Sequence, residues 1–367
     1  MNHTRRDLLK TAGVTAGVVA IAGCMGGDDD AAEGVTDEEL EDLPEESITL
    51  AHHLEPDPTG HPHRAALMFQ SLMERWTNEQ FEVDVAAGGS LGTDGEVLEQ
   101  IIDGTLEMGT GHAEGVLSTF YPNANIIGVP FFFDTIDEAN YVFDQEFGSR
   151  FFEDVRNETG VNILSFWDNG GFRTFTTTDT PIESIDDFAG LTIRTQEIEP
   201  HQVMVQELGA TPQAISGAEL YQALDQGVVD GQENSIPTMI ASLRYEVQDY
   251  FIMTEHLYSH NYLLAGDAWY NGLDATYQHL VAQAATRASI EARRINRIAR
   301  EDGVEYLEEQ GIEFIVPDEE TMNEYREATQ DPVENAVRDD LEDESWLDDL
   351  YDARDQAREE LEYPAHG

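Results

Sequence analysis

The sequence predicts an α/β protein with two domains and a ligand-binding crevice at the ends of its strands. The chain has 367 residues, of which 40% are hydrophobic and 9% aromatic, so it can bury a large core and is longer than one typical domain. Strand and helix patterns alternate between Asp186 and Asn234. Arg194 closes a short β-type run in this stretch, and Asn234 follows a turn at residues 230–233. Strand ends of this kind commonly face a crevice in α/β proteins.

The first 46 residues are predicted to be an export signal followed by a linker. Arg5 and Arg6 begin a twin-arginine signal pattern, an apolar run follows at residues 11–22, and Cys24 is the only cysteine. A cysteine directly after such a run resembles a lipid-attachment site, and the run is too short to span a membrane. Residues 1–24 are therefore predicted to be a twin-arginine lipoprotein signal. Residues 25–46 are predicted to be an acidic linker that holds the globular part off the membrane.

The globular part begins with alternating strand and helix patterns. The helix predicted over residues 273–303 would be about 45 Å long at 1.5 Å per residue, which is long enough to brace two domains. Other predicted helices lie at residues 61–78, 96–103, 139–159, 217–226 and 319–363, the last in two pieces broken at Asp331-Pro332. Predicted strands lie at residues 47–52, 81–86, 108–110, 161–167, 170–175, 191–193, 251–253, 262–268 and 312–316.

The charge of the chain is extreme, with 75 Asp+Glu against 19 Lys+Arg and a net charge of −56. Such a surface repels nucleic acid and anionic lipid, so neither is expected as a partner. The acidic residues are spread over segments rich in Trp, Phe and Ile, which argues against a disordered tail. In molar salt the Debye length falls to ~3 Å, so like charges barely interact. The composition therefore predicts a halophile.

Two arginines lie at or near the ends of apolar strand patterns, unlike most of the chain's other arginines, which fall on helix patterns. The planar guanidinium of Arg173 or Arg194 suits a carboxylate because it can donate two parallel hydrogen bonds. In so acidic a chain, a surface ion pair is the alternative for either residue. An anion site in concentrated salt must work by close, desolvated contact, because screening removes long-range attraction. Asn234 offers a donor and an acceptor, or is an ordinary turn asparagine.

A series of short motifs along about residues 47–320 resembles the solute-binding proteins of TRAP (tripartite ATP-independent periplasmic) transporters of the DctP type. They are GSLG at 89–92, EVLEQ at 96–100, GTLEM at 104–108, GFR at 171–173, GLTIR at 190–194, LGATP at 208–212, ELYQAL at 219–224 and GVVDGQEN at 227–234. The chain departs from the family at Gly217, where many members carry an aromatic residue, and at Gln196 and Glu197, which are bulkier and more acidic than usual.

The resemblance implies a two-lobed fold of the periplasmic-binding-protein type (class II), with crossover strands and a long helix that spans both lobes. The first lobe would comprise residues 47–171 and about 260–299, and the second would comprise residues 172–259 and about 300–367. The lobes would close on the ligand by a hinge motion. Together with the pattern of residues 1–24 and the acidic composition, it predicts a haloarchaeal-like lipoprotein outside the cytoplasm, anchored through Cys24 to the outer face of the cell membrane.

The resemblance also implies the ligand, the partner and the contacts. The protein would bind a small carboxylate, deliver it to the membrane subunits of a TRAP transporter, and need no cofactor and no catalytic residue. Arg194 would pair with the carboxylate, Arg173 would support it, and Asn234 would contact it from the other side. The resemblance places further, less specific contacts at His52, Asp94 and His112.

Two other functions follow from the residues. The GGSLG turn at residues 88–92 matches the G-x-S-x-G pattern of serine hydrolases and falls between a strand and a helix, although no motif places an Asp or a His beside Ser90. Histidine-rich residues at 52–53 and 61–63 would suit a metal-binding lipoprotein. However, adjacent strand residues point to opposite faces of a sheet, which makes His52 and His53 a poor pair of ligands for one metal ion.

Overall fold

The computed structural model describes residues 35–36, 40, 43–57, 60–111 and 114–361 of the chain. The signal predicted at residues 1–24, its lipid-attachment residue Cys24 and most of the linker predicted at residues 25–46 lie outside the described residues, and so does His112. None of the helices in the described ranges combines the length and the apolar character that a membrane crossing requires.

Within these ranges the strands form one nine-stranded mixed sheet in the order β2-β1-β3-β8-β4-β7-β5-β6, with β9 paired to β8. The strands are β1 (Glu46–Ala51), β2 (Phe81–Ala86), β3 (Met108–Thr110), β4 (Val161–Thr177), β5 (Thr192–Thr195), β6 (Thr211–Ala214), β7 (Gly231–Asn234), β8 (Tyr250–Gly266) and β9 (Glu313–Ile315). The central pair, β4 and β8, is antiparallel, and each of its strands has 17 residues. These two strands join the half of the sheet formed by β1–β3 to the half formed by β5–β7.

The described helices pack against the sheet and against each other. They are α1 (His61–Trp76), α2 (Asp94–Ile102), α3 (Glu114–Ser118), α4 (Ile136–Asp144), α5 (Glu146–Thr159), α6 (Glu199–Glu207), α7 (Gly217–Asp225), α8 (Ile236–Ala241), α9 (Asp267–Gly272), α10 (Ala275–Glu309), α11 (Glu319–Asp340) and α12 (Ser345–Glu360). Short 3-10 helices lie at Pro122–Gly128, Ile185–Phe188 and Arg244–Val247. The mixed α/β architecture confirms the predicted fold class.

The long predicted helix is present as α10 and has 35 residues. It contacts α1 beside the first half of the sheet, the central strand β4, and α8 beside the second half. It also continues past Gly303, where a Cβ atom would lie 2.8 Å from the side chain of Ile236. Glycine at this position therefore permits close approach of α8 and does not end the helix.

Five sequence-based boundaries are wrong, mostly because tertiary contacts override the local pattern. The runs predicted at 161–167 and 170–175 belong to one strand, β4. Residues 230–233, predicted as a turn, belong largely to β7, which is held by pairing with β4 and β5. The two runs predicted at 251–253 and 262–268 belong to one strand, β8. The helix predicted at 139–159 is divided at Gln145. The C-terminal helices do not break at Pro332, because α11 runs through it with Tyr325, Thr329, Val333 and Val337 buried along one stripe.

Candidate ligand-binding site

The carboxyl ends of the parallel strands in both halves of the sheet point towards the middle of β4. Thr110, the last residue of β3, pairs with Leu263 of β8, which in turn pairs with Ser165 of β4. From the other half, Asn234 at the end of β7 pairs with Thr174 of β4. The stretch of β4 between these levels therefore lies between two sets of strand ends, which is where open α/β sheets bind ligands.

Arg194 lies in β5, in the half of the sheet formed by β5–β7. Its side chain is 3% exposed, and its Nε donates a hydrogen bond to the carbonyl oxygen of Ile215 at 2.8 Å. Within the described part of the chain, neither Nη atom has a hydrogen bond and no carboxylate forms an ion pair with the guanidinium. Burial lowers the pKa of Arg194 to about 10, so the group remains charged at neutral pH. Arg194 is thus a buried cation that lacks a counter-ion among the described residues.

Arg173 lies in β4, next to the residue that pairs with Asn234, and it is fully buried with Glu233. The guanidinium donates from Nε and Nη2 to the carboxylate of Glu233, with Nη2 to Oε1 at 2.8 Å, and from Nη2 to the backbone oxygen of Glu233 at 2.9 Å. Burial alone would raise the pKa of Glu233, but the charge and hydrogen bonds of Arg173, with the ring nitrogens of His201 and His256 at 3.6 Å, hold that pKa well below its usual range. The charge of Arg173 is therefore compensated within the protein.

Asn234 is 4% exposed, and its amide orientation is fixed by the next residue. The Oδ1 atom accepts a hydrogen bond from the backbone N–H of Ser235 at 2.9 Å. The Nδ2 atom, which has no hydrogen bond within the described ranges, is left as a donor. In the sheet, Arg194 pairs with Gln232, two residues before Asn234. The free amide donor and the uncompensated guanidinium therefore lie near the carboxyl ends of neighbouring parallel strands. This arrangement suits an anion.

Arg244 is a third buried arginine, and the sequence analysis missed it. It lies in the 3-10 helix Arg244–Val247, is 8% exposed, and donates from Nη2 to the backbone oxygen of Gly217 at 3.0 Å. Burial, together with the charges of Arg194 and Arg173, lowers the pKa of Arg244 to about 9. A signal was present in the sequence: between Arg156 and Arg287 the only Lys or Arg residues are Arg173, Arg194 and Arg244.

His52 and Asp94 lie in a separate group at the carboxyl end of β1. His52 is buried, and its Nε2 lies 2.9 Å from Nδ1 of His63, while Asp94 pairs with Nδ1 of His53 at 2.5 Å. Burial and the nearby charge of His63 lower the pKa of His52 to about 4. The structure therefore places these two predicted contacts in the first half of the sheet, each with a protein partner. The role predicted for them in ligand binding stays a prediction.

The features behind the two rival functions do not converge on a reactive centre. Ser90 is exposed in the turn before α2, and no hydrogen bond within the described ranges joins its hydroxyl to a histidine. His61 accepts a hydrogen bond from Nε1 of the buried Trp167 at 3.0 Å, away from the contact between His52 and His63. Among the described residues, no group of three or more His, Cys, Asp or Glu side chains is arranged to hold a metal ion.

Comparison with known proteins identifies the family. The sequence profile of the DctP family, described as bacterial extracellular solute-binding protein, family 7, matches residues 52–340. The chain belongs to this family. Its members are extracytoplasmic solute receptors and not enzymes, as the sequence motifs predicted. The motif series that suggested the resemblance falls almost entirely within the matched residues.

Individual relatives cover most of the chain. The C4-dicarboxylate-binding periplasmic protein DctP of Rhodobacter capsulatus is 29% identical over 72% of this chain and 78% of its own. The sugar acid binding protein of Advenella mimigardefordensis, solved in complex with galactonate, is 25% identical and has a TM-score of 0.81, covering 86% of this chain and all of its own. A TRAP periplasmic solute-binding protein of Chromohalobacter salexigens, solved with D-glucuronate, is 26% identical with a TM-score of 0.77 and covers 83% of this chain and 99% of its own.

Proposed function

We propose that this solute receptor binds a small organic acid through Arg194 and delivers it to the membrane subunits of a TRAP-type transporter. The observation that carries the proposal is the buried guanidinium of Arg194, which has no counter-ion among the described residues. An ionised group out of water is costly unless it is paired. The chain carries 75 acidic residues that could have paired with Arg194. A ligand carboxylate would explain why this buried arginine lacks a protein partner.

We propose different tasks for the three predicted contacts at this end of the strands. Arg194 retains both Nη groups for a carboxylate, which can accept two parallel hydrogen bonds from them. Asn234 presents an amide donor from the end of β7. Arg173 is bound to the carboxylate and the backbone oxygen of Glu233, so its proposed role is an indirect one: it holds the end of β7, which carries Asn234, in place.

The backbone conformation in the middle of β4 is consistent with closure of two lobes around the ligand. Gly170 and Gly171 have φ values of +84° and +92°, at a register shift in the pairing of β4 with β8. The long helix α10 is attached at the same level, where Arg300 donates to the carboxylate of Asp168 at 2.6 Å. We propose that the strands bend here, and that residues 47–171 with about 260–299 and residues 172–259 with about 300–367 move as the two lobes. Such closure requires that the ligand bind the closed state more tightly.

The location of the protein follows in part from its family, whose members are extracytoplasmic. The twin-arginine signal and the lipid anchor at Cys24 remain part of the proposal, supported by the sequence pattern of residues 1–24. A lipid anchor would keep the receptor beside its membrane partner. The net charge of −56 supports operation in molar salt, where the Debye length is ~3 Å and a ligand must be held by contact.

A thermal-shift screen of the purified protein in ~2 M salt tests this function. The panel contains monocarboxylates, dicarboxylates and sugar acids. A ligand at one hundred times its Kd should stabilise the protein by about 2.7 kcal/mol. Stabilisation by one class of carboxylate supports the proposal. Labelling of Ser90 by a serine-hydrolase probe, or stabilisation by metal ions with no response to any organic acid, would contradict it.

A further inference from the structure

The charge along the long helix α10 is divided into a basic part and an acidic part. Residues 275–300 contain five arginines and one acidic residue, Glu291, whereas residues 301–309 contain five acidic residues and no lysine or arginine. The chain as a whole has 75 Asp+Glu against 19 Lys+Arg. A helical segment with a net positive charge is therefore an exception in this protein, and it calls for a local explanation.

The basic part of α10 presents apolar side chains to solvent together with its arginines. Ile290 is 60% exposed and Ile298 is 39% exposed. Arg294 and Arg297 are exposed between them on the same side of the helix. Protein–protein interfaces are enriched in arginine and in apolar groups, and clustered apolar residues on a surface mark such sites. This side of α10 therefore has the composition of an interface.

The solvent-facing residues of α10 between 287 and 308 form what we call its outer face, which comprises Arg287, Ile290, Arg294, Arg297, Ile298, Glu301, Glu305 and Glu308. Four of its charged residues, at positions 287, 294, 301 and 308, recur every seven residues, and this spacing keeps them on one side of a helix. The first two are arginines and the last two are glutamates. The outer face therefore reads from basic to acidic along the helix.

An antiparallel second copy of α10 would match this order of charges. With a two-fold axis between residues 297 and 298, Arg294 of each copy would lie opposite Glu301 of the other, and Arg287 opposite Glu308. Ile298 would lie beside the axis, against its own symmetry mate. A two-fold interface requires such a self-complementary surface, and helices with a seven-residue repeat can pack along their length. Nucleic acid and anionic lipid fit less well, because neither offers cations to the acidic end of the outer face.

We infer that the outer face of α10 is a homodimer interface in which the helices of two copies pair antiparallel about this axis. Two chains that each carry a net charge of −56 repel one another in dilute buffer. In molar salt the Debye length is ~3 Å, so this repulsion is screened while charges in direct contact still interact. The paired segment is about 33 Å long and about 10 Å wide. It would bury on the order of 700 Å² in total, less than the ~1,000 Å² of stable interfaces, so the dimer is a weak one.

Disulfide cross-linking in ~2 M salt tests the position of the axis. The variants are Ile298→Cys and Ile290→Cys, both combined with Cys24→Ser because Cys24 is the only native cysteine. Across the axis, the two copies of residue 298 would be offset by about 1.5 Å along the helices and those of residue 290 by about 22 Å. A disulfide needs Cα atoms within about 7 Å. We expect oxidation to join Ile298→Cys chains at least about tenfold faster than Ile290→Cys chains. Equal rates, or no covalent dimer from either variant, would overturn the inference.

Sedimentation velocity over a concentration series in ~2 M salt tests the pairing of charges. Arg294→Glu would place like charges opposite each other twice in the dimer, so it should weaken dimerisation by about tenfold or more. The double variant Arg294→Glu with Glu301→Arg exchanges the two charges, and it should return the dimer Kd to within about threefold of the wild type. Failure of the double variant to recover would overturn the antiparallel register. A wild-type protein that stays monomeric at about 0.1 mM, where a micromolar dimer would be largely formed, would overturn the homodimer and leave the outer face to a different protein.

Discussion

The buried pair formed by Arg173 and Glu233 allows a quantitative prediction of stability. Glu233→Gln preserves the shape of the side chain and one oxygen acceptor but removes the negative charge that compensates Arg173. Both side chains are 0% exposed, so water cannot replace the lost carboxylate. Removing one partner of a buried ion pair costs about 3–5 kcal/mol, because the other charge is left uncompensated.

The assay is thermal unfolding of the ligand-free protein in ~2 M salt. A chain of 367 residues has an unfolding entropy of ~0.8 kcal/mol/K at ~2.1 cal/mol/K per residue. The Tm should therefore fall by about 4–6 °C in Glu233→Gln. The control is Glu246→Gln, which changes an exposed carboxylate bonded to Tyr221 and should cost less than about 1 kcal/mol. If both variants melt within about 1 °C of the wild type, the charge of Arg173 is not compensated by Glu233 in the way described.

Three further predictions concern stability. Burial lowers the pKa of His52 to about 4 and that of His61 to about 3, so the unfolded chain binds these protons at a higher pH than the folded chain does. The free energy of unfolding should therefore fall by about 2 kcal/mol per histidine between pH 7 and 5. Unfolding titrations of His52→Gln should show a smaller fall. Gly170→Ala should lower the Tm more than Gly104→Ala. Both glycines have positive φ, but only at Gly170 would the added Cβ lie 2.6 Å from a neighbouring hydroxyl. Equal effects would show that backbone strain alone, about 1–3 kcal/mol, accounts for the loss of stability. Pro332→Ala should raise the free energy of unfolding by about 1–3 kcal/mol, since proline disfavours a helix interior, and a lower Tm would mean that the proline ring itself packs usefully in α11.

The sequence predicted the parts of the site whose chemistry contrasts with their surroundings. Arg194 stood out because it ends an apolar strand pattern in a chain poor in basic residues, and the structure buries it at a strand end. Glu233 could not be singled out in the same way, because one acid among 75 Asp+Glu carries no signal until the register of β4 and β7 places it against Arg173. Arg244 was missed because a single 3-10 turn has no periodic pattern that would indicate burial.

The errors in the fold have a similar origin. The residues of β7, Gly-Gln-Glu-Asn, have low intrinsic strand preference, and their strand exists because β4 and β5 pair with them on either side, as is usual for context-dependent β structure. Pro332 is a helix breaker by local rules, yet the buried stripe of α11 holds the helix together across it. Both features depend on neighbours that are distant in the sequence.

The most direct test of the account is the affinity of the wild type, Arg194→Gln and Arg297→Gln for one carboxylate found in the thermal-shift screen. Arg297 is exposed on α10, so its variant makes the same change of residue and net charge away from the crevice. Loss of Arg194 should weaken binding by about 2–5 kcal/mol, which is a factor of about 30 to 5,000 in Kd, while Arg297→Gln should leave Kd within about twofold. Unchanged affinity in a folded Arg194→Gln variant would show that this buried guanidinium does not hold the ligand carboxylate.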